Sequence, residues 1–158
     1  MGQQLDLMSS KRKLEDFDMK LYSQIVQYKT SYYSFYLPVQ LGMILAGVQN
    51  AELYRQAENI LLAIGHLYNV QDDYIDCYGD PSITGKIGTD IREGKCSWLI
   101  VQALNIANEN QKQILQVSFT LIFSSNIQQG TNIHERLLNK PYVNDVILRR
   151  QKSPLKCC

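Results

Sequence analysis

The sequence predicts an all-α chain, and three observations carry that reading. Apolar residues return at steps of three and four through Met19, Tyr22, Ile25 and Val26. They do so again through Leu53, Ile60, Leu61, Ile64, Leu67, Tyr68 and Ile75, which is the period of a helix with one buried face. Both stretches open on helix-start residues: Asp16 or Asp18 before the first, and Asn50 before the second with Glu52 in its first turn. Breakers fall at the edges, where Asp80-Pro81 and three glycines end the second pattern.

Taken in order, Gln3-Gln4-Leu5-Asp6-Leu7-Met8 is a short amphipathic piece, and Lys11-Arg12-Lys13 reads as a solvated loop. A helix is expected from Asp16 or Asp18 to about Lys29, acidic in its first turn. Ser31 to Leu37 is dense in aromatics, which at helical spacing are expected to be mainly core. Pro38 should kink that helix or mark a boundary in the preceding turn; a break near Lys29-Thr30 would free backbone carbonyls. Leu41 to Ala46 closes the element, with Gly47 and Asn50 as turn residues. The longest helix is expected over Ala51 to Tyr78, its apolar stripe either packed mainly in the core or serving the apolar tail of an amphiphile whose head group sits at the aspartates. Cys96 to Asn108 and Glu109 to Gln116 complete the helices. Val117 to Ser125 is apolar and β-prone, and the rest to Cys158 is polar without a helical repeat.

A chain of 158 residues, 45% hydrophobic, is long enough for one core. A net charge near +1, with no basic stripe in the body of the chain, argues against a nucleic-acid partner. No apolar run approaches a membrane span, and the N-terminus has no signal-peptide pattern. Asp6 stands where a myristoylation site needs Ser or Thr. Cys77, Cys96, Cys157 and Cys158 have no metal-ligand spacing, and His66 and His134 are far apart. Reduced thiols and a cytoplasmic location are expected. Cys157-Cys158 reads either as a double prenylation acceptor or as an arbitrary tail.

The chemistry concentrates in Asp72-Asp73-Tyr74-Ile75-Asp76. Asp72 and Asp76 stack on one helix face, with Asp73 about 100° round. Such a cluster is either a solvated acidic helix end or a site that collects a cation, and hard oxygen donors suit Mg²⁺ completed by substrate phosphates. The glycine-punctuated loop from Gly79 to Asp90 carries Lys86, with Lys95 just beyond. Carboxylates beside lysines describe a polyphosphate held through bridging metal, its remaining oxygens neutralised by ammonium groups. The Walker spacing and the alternating acids of an EF-hand loop are both absent.

Val70 to Asp76, the loop from Gly79 to Asp90, and Lys95-Cys96-Ser97-Trp98 together resemble the second aspartate-rich motif of farnesyl diphosphate synthases. Tyr28-Lys29-Thr30-Ser31-Tyr32-Tyr33-Ser34-Phe35-Tyr36-Leu37-Pro38 resembles another segment of those enzymes. The likeness covers about residues 3–116. It implies the C-terminal half of a trans-prenyltransferase domain within an isoprenoid-synthase helical bundle, with 117–158 as a divergent tail. It implies that Asp72, Asp73 and Asp76 hold Mg²⁺. Lys29, Thr30, Asn69, Lys86 and Lys95, with Gln3 and Asp6, would face the diphosphate site, and Lys29, Thr30 and Lys86 would act in catalysis. Asn69 departs from the Gln more common in the family, and Asp90 would orient a lysine or a metal-bound water. Ile147-Leu148-Arg149-Arg150-Gln151-Lys152 resembles the basic ending of these enzymes in a short stretch only. The implied reaction condenses an allylic diphosphate (dimethylallyl or geranyl) with isopentenyl diphosphate. The first aspartate-rich motif and the isopentenyl-binding residues have no counterpart in the 158 residues, so activity is expected only in a fuller context. The alternatives are a non-catalytic partner that dimerises with a full-length synthase, or a diphosphate-binding relic. Homodimers are implied by likeness.

Overall fold

The computed structural model describes residues 2–124, all of whose regular elements are helical: α1 (Gly2–Ser9), α2 (Met19–Val26), a π-helical segment (Gln27–Tyr36), α3 (Leu37–Leu45), α4 (Ala51–Tyr78), α5 (Pro81–Thr84), α6 (Trp98–Ile106) and α7 (Glu109–Ser124). A 3₁₀ turn, Leu14–Asp16, stands before α2. The expectations for Ile147 to Lys152, for Cys157-Cys158 and for the remainder of the polar tail lie outside the described residues.

Of the two candidate starts of α2, Asp18 is the cap: its carboxylate accepts the Leu21 backbone N–H at 2.7 Å. A capped first turn aims Leu21, Tyr22, Ile25 and Val26 inward, where they join Leu14, Phe17, Cys96 and Val101 in the core.

The break expected near Lys29-Thr30 is not a break. The chain stays helical but widens into ten π-helical residues, Gln27–Tyr36. The register returns to α-helix at Leu37, whose N–H reaches the Tyr32 carbonyl five residues back, and Pro38 follows in the first turn of α3. Proline has no N–H to give and crowds the preceding turn, so a boundary immediately before it is where the register can change cheaply. The aromatics here are not mainly core. Tyr36 is buried, but Tyr33 is 71% exposed and Tyr28 49%. Tyr28, Tyr32 and Tyr36 form a ladder along the surface, with centroids 5.8 and 6.0 Å apart. The Tyr32 hydroxyl donates to Glu58 at 2.7 Å and so ties that ladder to α4.

Helix α4 spans the range the sequence predicts, and Asn50 caps it by accepting the Glu52 N–H at 2.9 Å. Its stripe is a different matter. Leu53, Ile60, Ile64, Leu67, Tyr68 and Ile75 are exposed, as are Leu41, Ile44 and Leu45 of α3. Periodicity identifies an apolar face but does not supply what covers it, and no described element does.

Helix α6 begins two residues later than expected and ends at Ile106. Asn108 and Gln111 then start α7 reciprocally, each side chain accepting the other's backbone N–H, at 3.0 and 2.7 Å. Val117 to Ser124 continues this helix instead of forming the β-prone stretch expected. Leu115 and Phe119, four apart, both pack against the core, and the Phe119 ring meets Phe17 edge-on at 5.7 Å. Val117 between them is exposed. That is a helical pattern, because a strand would put all three on one face.

Cys77 and Cys96 are free, buried thiols. No helix among the described residues is long and apolar enough to cross a membrane.

This pattern fixes an expected outcome in denaturant titrations. Leu115→Ala and Phe119→Ala should each cost on the order of 2 kcal/mol. Val117→Ala should stay within about 0.5 kcal/mol. Equal costs at all three positions would mean the segment is extended.

Candidate functional site

A cleft of about 270 Å³ opens between α4, the π-helical segment and the loop that follows α5. Its wall brings together eight of the ten residues expected to form a site: Asp6, Lys29, Asn69, Asp72, Asp73, Asp76, Lys86 and Lys95. Thr30 stands behind that wall, and its hydroxyl donates to the Asn69 Oδ1 at 3.2 Å. Gln3 is exposed and does not line the cleft.

The three aspartates on the last turns of α4 have three separate partners. Asp72 pairs with Lys86 across 2.9 Å, both side chains about half exposed. Asp76 accepts the backbone N–H of Thr89 and of Asp90, each at 3.0 Å on Oδ2. Asp73 accepts the backbone N–H of Trp98 at 2.6 Å, where α6 starts. The loop can lie this close because of Gly88, where a Cβ would overlap the Asp76 carbonyl oxygen. Gly85, left-handed at φ 70°, ends α5 and turns the chain back toward α4.

Burial pushes Asp73 up to about 7, against the lowering influence of the Trp98 N–H; the charges of Asp90 and Asp72 add to the rise. The Tyr22 hydroxyl faces the Asp73 carboxylate without the geometry of a full hydrogen bond. Burial first, and then that carboxylate, raise Tyr22 well above the ordinary phenol range. Burial also raises Asp90, although Lys95 opposes it. Lys95 reaches Asp90 and Glu93, both at 3.0 Å. Burial works against its charge, but those two hydrogen bonds win and hold it above the usual lysine range. Its hydrogen bond to Asp72 raises Lys86 as well. Asp90 thus orients a lysine, as expected.

On the opposite side, Asp6 is 4% exposed and bonds to Lys29 Nζ at 2.7 Å. A buried carboxylate needs such a partner, so α1 fixes where the Lys29 ammonium sits. Sequence reasoning placed both residues at the site but did not pair them. It also missed the backbone amides of Thr89 and Asp90. Gly88 immediately before them was the available signal.

Among the described residues, no three His, Cys, Asp or Glu side chains converge on one point. Asp72 and Asp76, a turn apart and both at the cleft, are hard oxygen donors. They suit a cation such as Mg²⁺, which takes one or two carboxylates and fills its other positions with water and phosphate oxygens. Asp73, expected beside them at a metal, also lines the cleft, and its Oδ2 accepts the Trp98 N–H at the start of α6. The arrangement is equipped to hold a polyanion beside lysine ammonium groups, and among the described residues no histidine lines the cleft.

Comparison with known proteins agrees with this geometry. The family model described as Polyprenyl synthetase matches residues 1–130, which runs past residue 116, where the motif resemblance ends. The chain is 53% identical over 117 residues to a farnesyl pyrophosphate synthase of Zea mays, covering 72% of this chain and 33% of that protein. It is 50% identical over 121 residues to that of Bos taurus, covering 75% and 34%. The structure of T. brucei farnesyl pyrophosphate synthase superposes with a TM-score of 0.73 at 29% identity, covering 95% of this chain and 43% of that one. The chain therefore spans about a third of the length of the curated relatives it matches. A family match over most of the sequence, an all-helical neighbour and a cleft where aspartates face lysines lead to one conclusion: this chain belongs to the polyprenyl synthetase family.

Proposed function

We propose that this chain carries the diphosphate-binding face of a Mg²⁺-dependent trans-prenyltransferase of the farnesyl diphosphate synthase kind, acting in the cytoplasm. The observation that supports it most is the Asp72–Lys86 pair, which shares one cleft with Lys29 and Lys95. Such an exposed pair contributes only about 0–1 kcal/mol to stability. It can therefore be exchanged for a metal on the carboxylate and a phosphate oxygen on the ammonium at little cost.

In this reading Asp72 and Asp76 hold the metal, whose chemistry is to draw charge from the leaving diphosphate. Lys86, Lys95 and Lys29 are permanent cations that gather the oxygens of an allylic diphosphate, dimethylallyl or geranyl. Asp6 and Asp90 hold Lys29 and Lys95 in place. Ile25, Val26 and Ile87 give the same wall an apolar part for the isoprenoid chain. The allylic C–O bond breaks with its electron pair on the diphosphate. The double bond of isopentenyl diphosphate supplies the pair for the new C–C bond, and the proton then lost goes to an oxygen of the departing diphosphate. Fixed charges already in place when the leaving group departs are the protein's contribution.

A second reading has one observation in its favour. The exposed apolar face of α3 and α4, with Leu41, Ile44, Leu45, Leu53, Ile60 and Ile64, suits association with further helices. A non-catalytic partner of a full-length synthase would use that face. Co-purification with such a synthase, with altered product length, would support this second reading; homodimerisation through the same face would support the first.

Three outcomes test the first reading. The 158-residue polypeptide given Mg²⁺, geranyl diphosphate and labelled isopentenyl diphosphate should form little or no farnesyl product, because no second acidic cluster faces the cleft among the described residues. Robust turnover would refute that. In an active assembly, Asp72→Ala and Lys86→Ala should each lower turnover by on the order of 100-fold, and near-normal rates in both would remove them from the site. Asp73 supplies the pH dependence. Its carboxyl is raised on folding, so its stabilising effect is complete below about pH 4 and is lost as pH rises through about 7. Asp73→Asn, which keeps an acceptor for Trp98, should therefore gain stability relative to the parent between pH 4 and 7 in urea titrations. Parallel profiles would contradict this.

A further inference from the structure

Asn69 lines the cleft, yet both ends of its amide are engaged inside the protein. Its Nδ2 donates to the Gly65 carbonyl one turn back at 3.0 Å. Its Oδ1 accepts the Thr30 hydroxyl at 3.2 Å. The side chain thus staples the π-helical segment to α4 at one point. At Gly65 the two backbones also come close. A Cβ there would lie 2.7 Å from the Ser31 Cα and 2.6 Å from its Oγ. Ser31 is 1% exposed and its hydroxyl has no partner, which leaves no room for a larger side chain on either helix. On α1, the Gly2 position is similarly pressed against the Lys29 backbone N. A π-helical stretch is rarely stable on its own hydrogen bonds, and this one is held from two helices at adjacent residues.

We propose that Asn69 is a positioning residue: it ties the Thr30 hydroxyl to the Gly65 carbonyl and so fixes the π-helical backbone from which Lys29 reaches the cleft. In this role it does not bind the diphosphate itself. The inference rests on the reading of the cleft as a diphosphate site for its effect on Lys29, but the clamp is a property of the protein without ligand. A glutamine at residue 69 would carry the amide one methylene further, past the carbonyl of its own preceding turn, and could not keep both bonds.

The test uses the full chain, with Mg²⁺ and inorganic pyrophosphate as the probe. Asn69→Leu, Asn69→Gln and Thr30→Val should each speed amide exchange at Lys29 to Ser31 by on the order of tenfold, with exchange at Val101 in the core unchanged. The Thr30→Val/Asn69→Leu double variant should exchange no faster than either single one. Asn69→Leu should weaken pyrophosphate binding about threefold in the parent and not at all in a Lys29→Ala background, because it acts through that lysine. Unchanged exchange at Lys29 to Ser31 would overturn the clamp. So would an affinity loss that persists in the Lys29→Ala background, since Asn69 would then touch the ligand directly. If the parent binds no pyrophosphate, the diphosphate reading fails, while the exchange measurements still decide the clamp.

Discussion

Three carboxylates on neighbouring turns of one helix repel each other, and the structure depends on how that repulsion is relieved. Each aspartate draws in a different part of the 79–98 segment: Lys86 comes to Asp72, the Thr89 and Asp90 amides to Asp76, and the Trp98 amide to Asp73. Residues 79–90 of this segment contribute no buried side chain, and Ile83 and Ile87 are exposed. Its path is set by hydrogen bonds to charged acceptors, which are individually stronger than those between neutral groups. The acidic turn organises the loop, and the loop closes the cleft.

The three contacts differ in how easily they can be exchanged. Asp73 is half-buried and faces Tyr22, so releasing it would leave a poorly solvated carboxylate without its amide partner and uncap α6. Asp72 and Lys86 are half exposed and can part at little cost. Asp76 is intermediate, held by two backbone amides but facing the cleft. The proposed division of labour follows from this gradient: the residue held most firmly anchors, and the one held most loosely exchanges partners with a ligand. The same logic extends to the far wall, where buried Asp6 holds Lys29 and the Asn69 amide holds Thr30.

Local signals made the helical class and the site legible in the sequence. Asn50 and Glu52 mark the start of α4, Gly79 and Asp80-Pro81 mark its end, and the structure follows both. The aspartates, Lys86 and Lys95 were visible because clustered charge is costly unless used. What the sequence hid was non-local. The Trp98 amide that engages Asp73 is a backbone group with no signature. Pro38 advertises an interruption but not that the chain would widen instead of breaking. A short apolar run around Val117 fits a strand or a buried helix equally until Phe17 is placed against Phe119. The stripe on α4 is legible as apolar, but periodicity says nothing of the surface opposite it, and most of its side chains are exposed.

In the proposed function, the loosely held Asp72–Lys86 contact opens to admit a metal–diphosphate complex while Asp73 stays on α6. A crystal structure of this protein soaked with Mg²⁺ and geranyl diphosphate tests it most directly. The expected result is a cation touching Asp72 and Asp76, phosphate oxygens against Lys86 and Lys95, and an unbroken Asp73–Trp98 hydrogen bond. An intact Asp72–Lys86 pair with the ligand absent or bound elsewhere would contradict it.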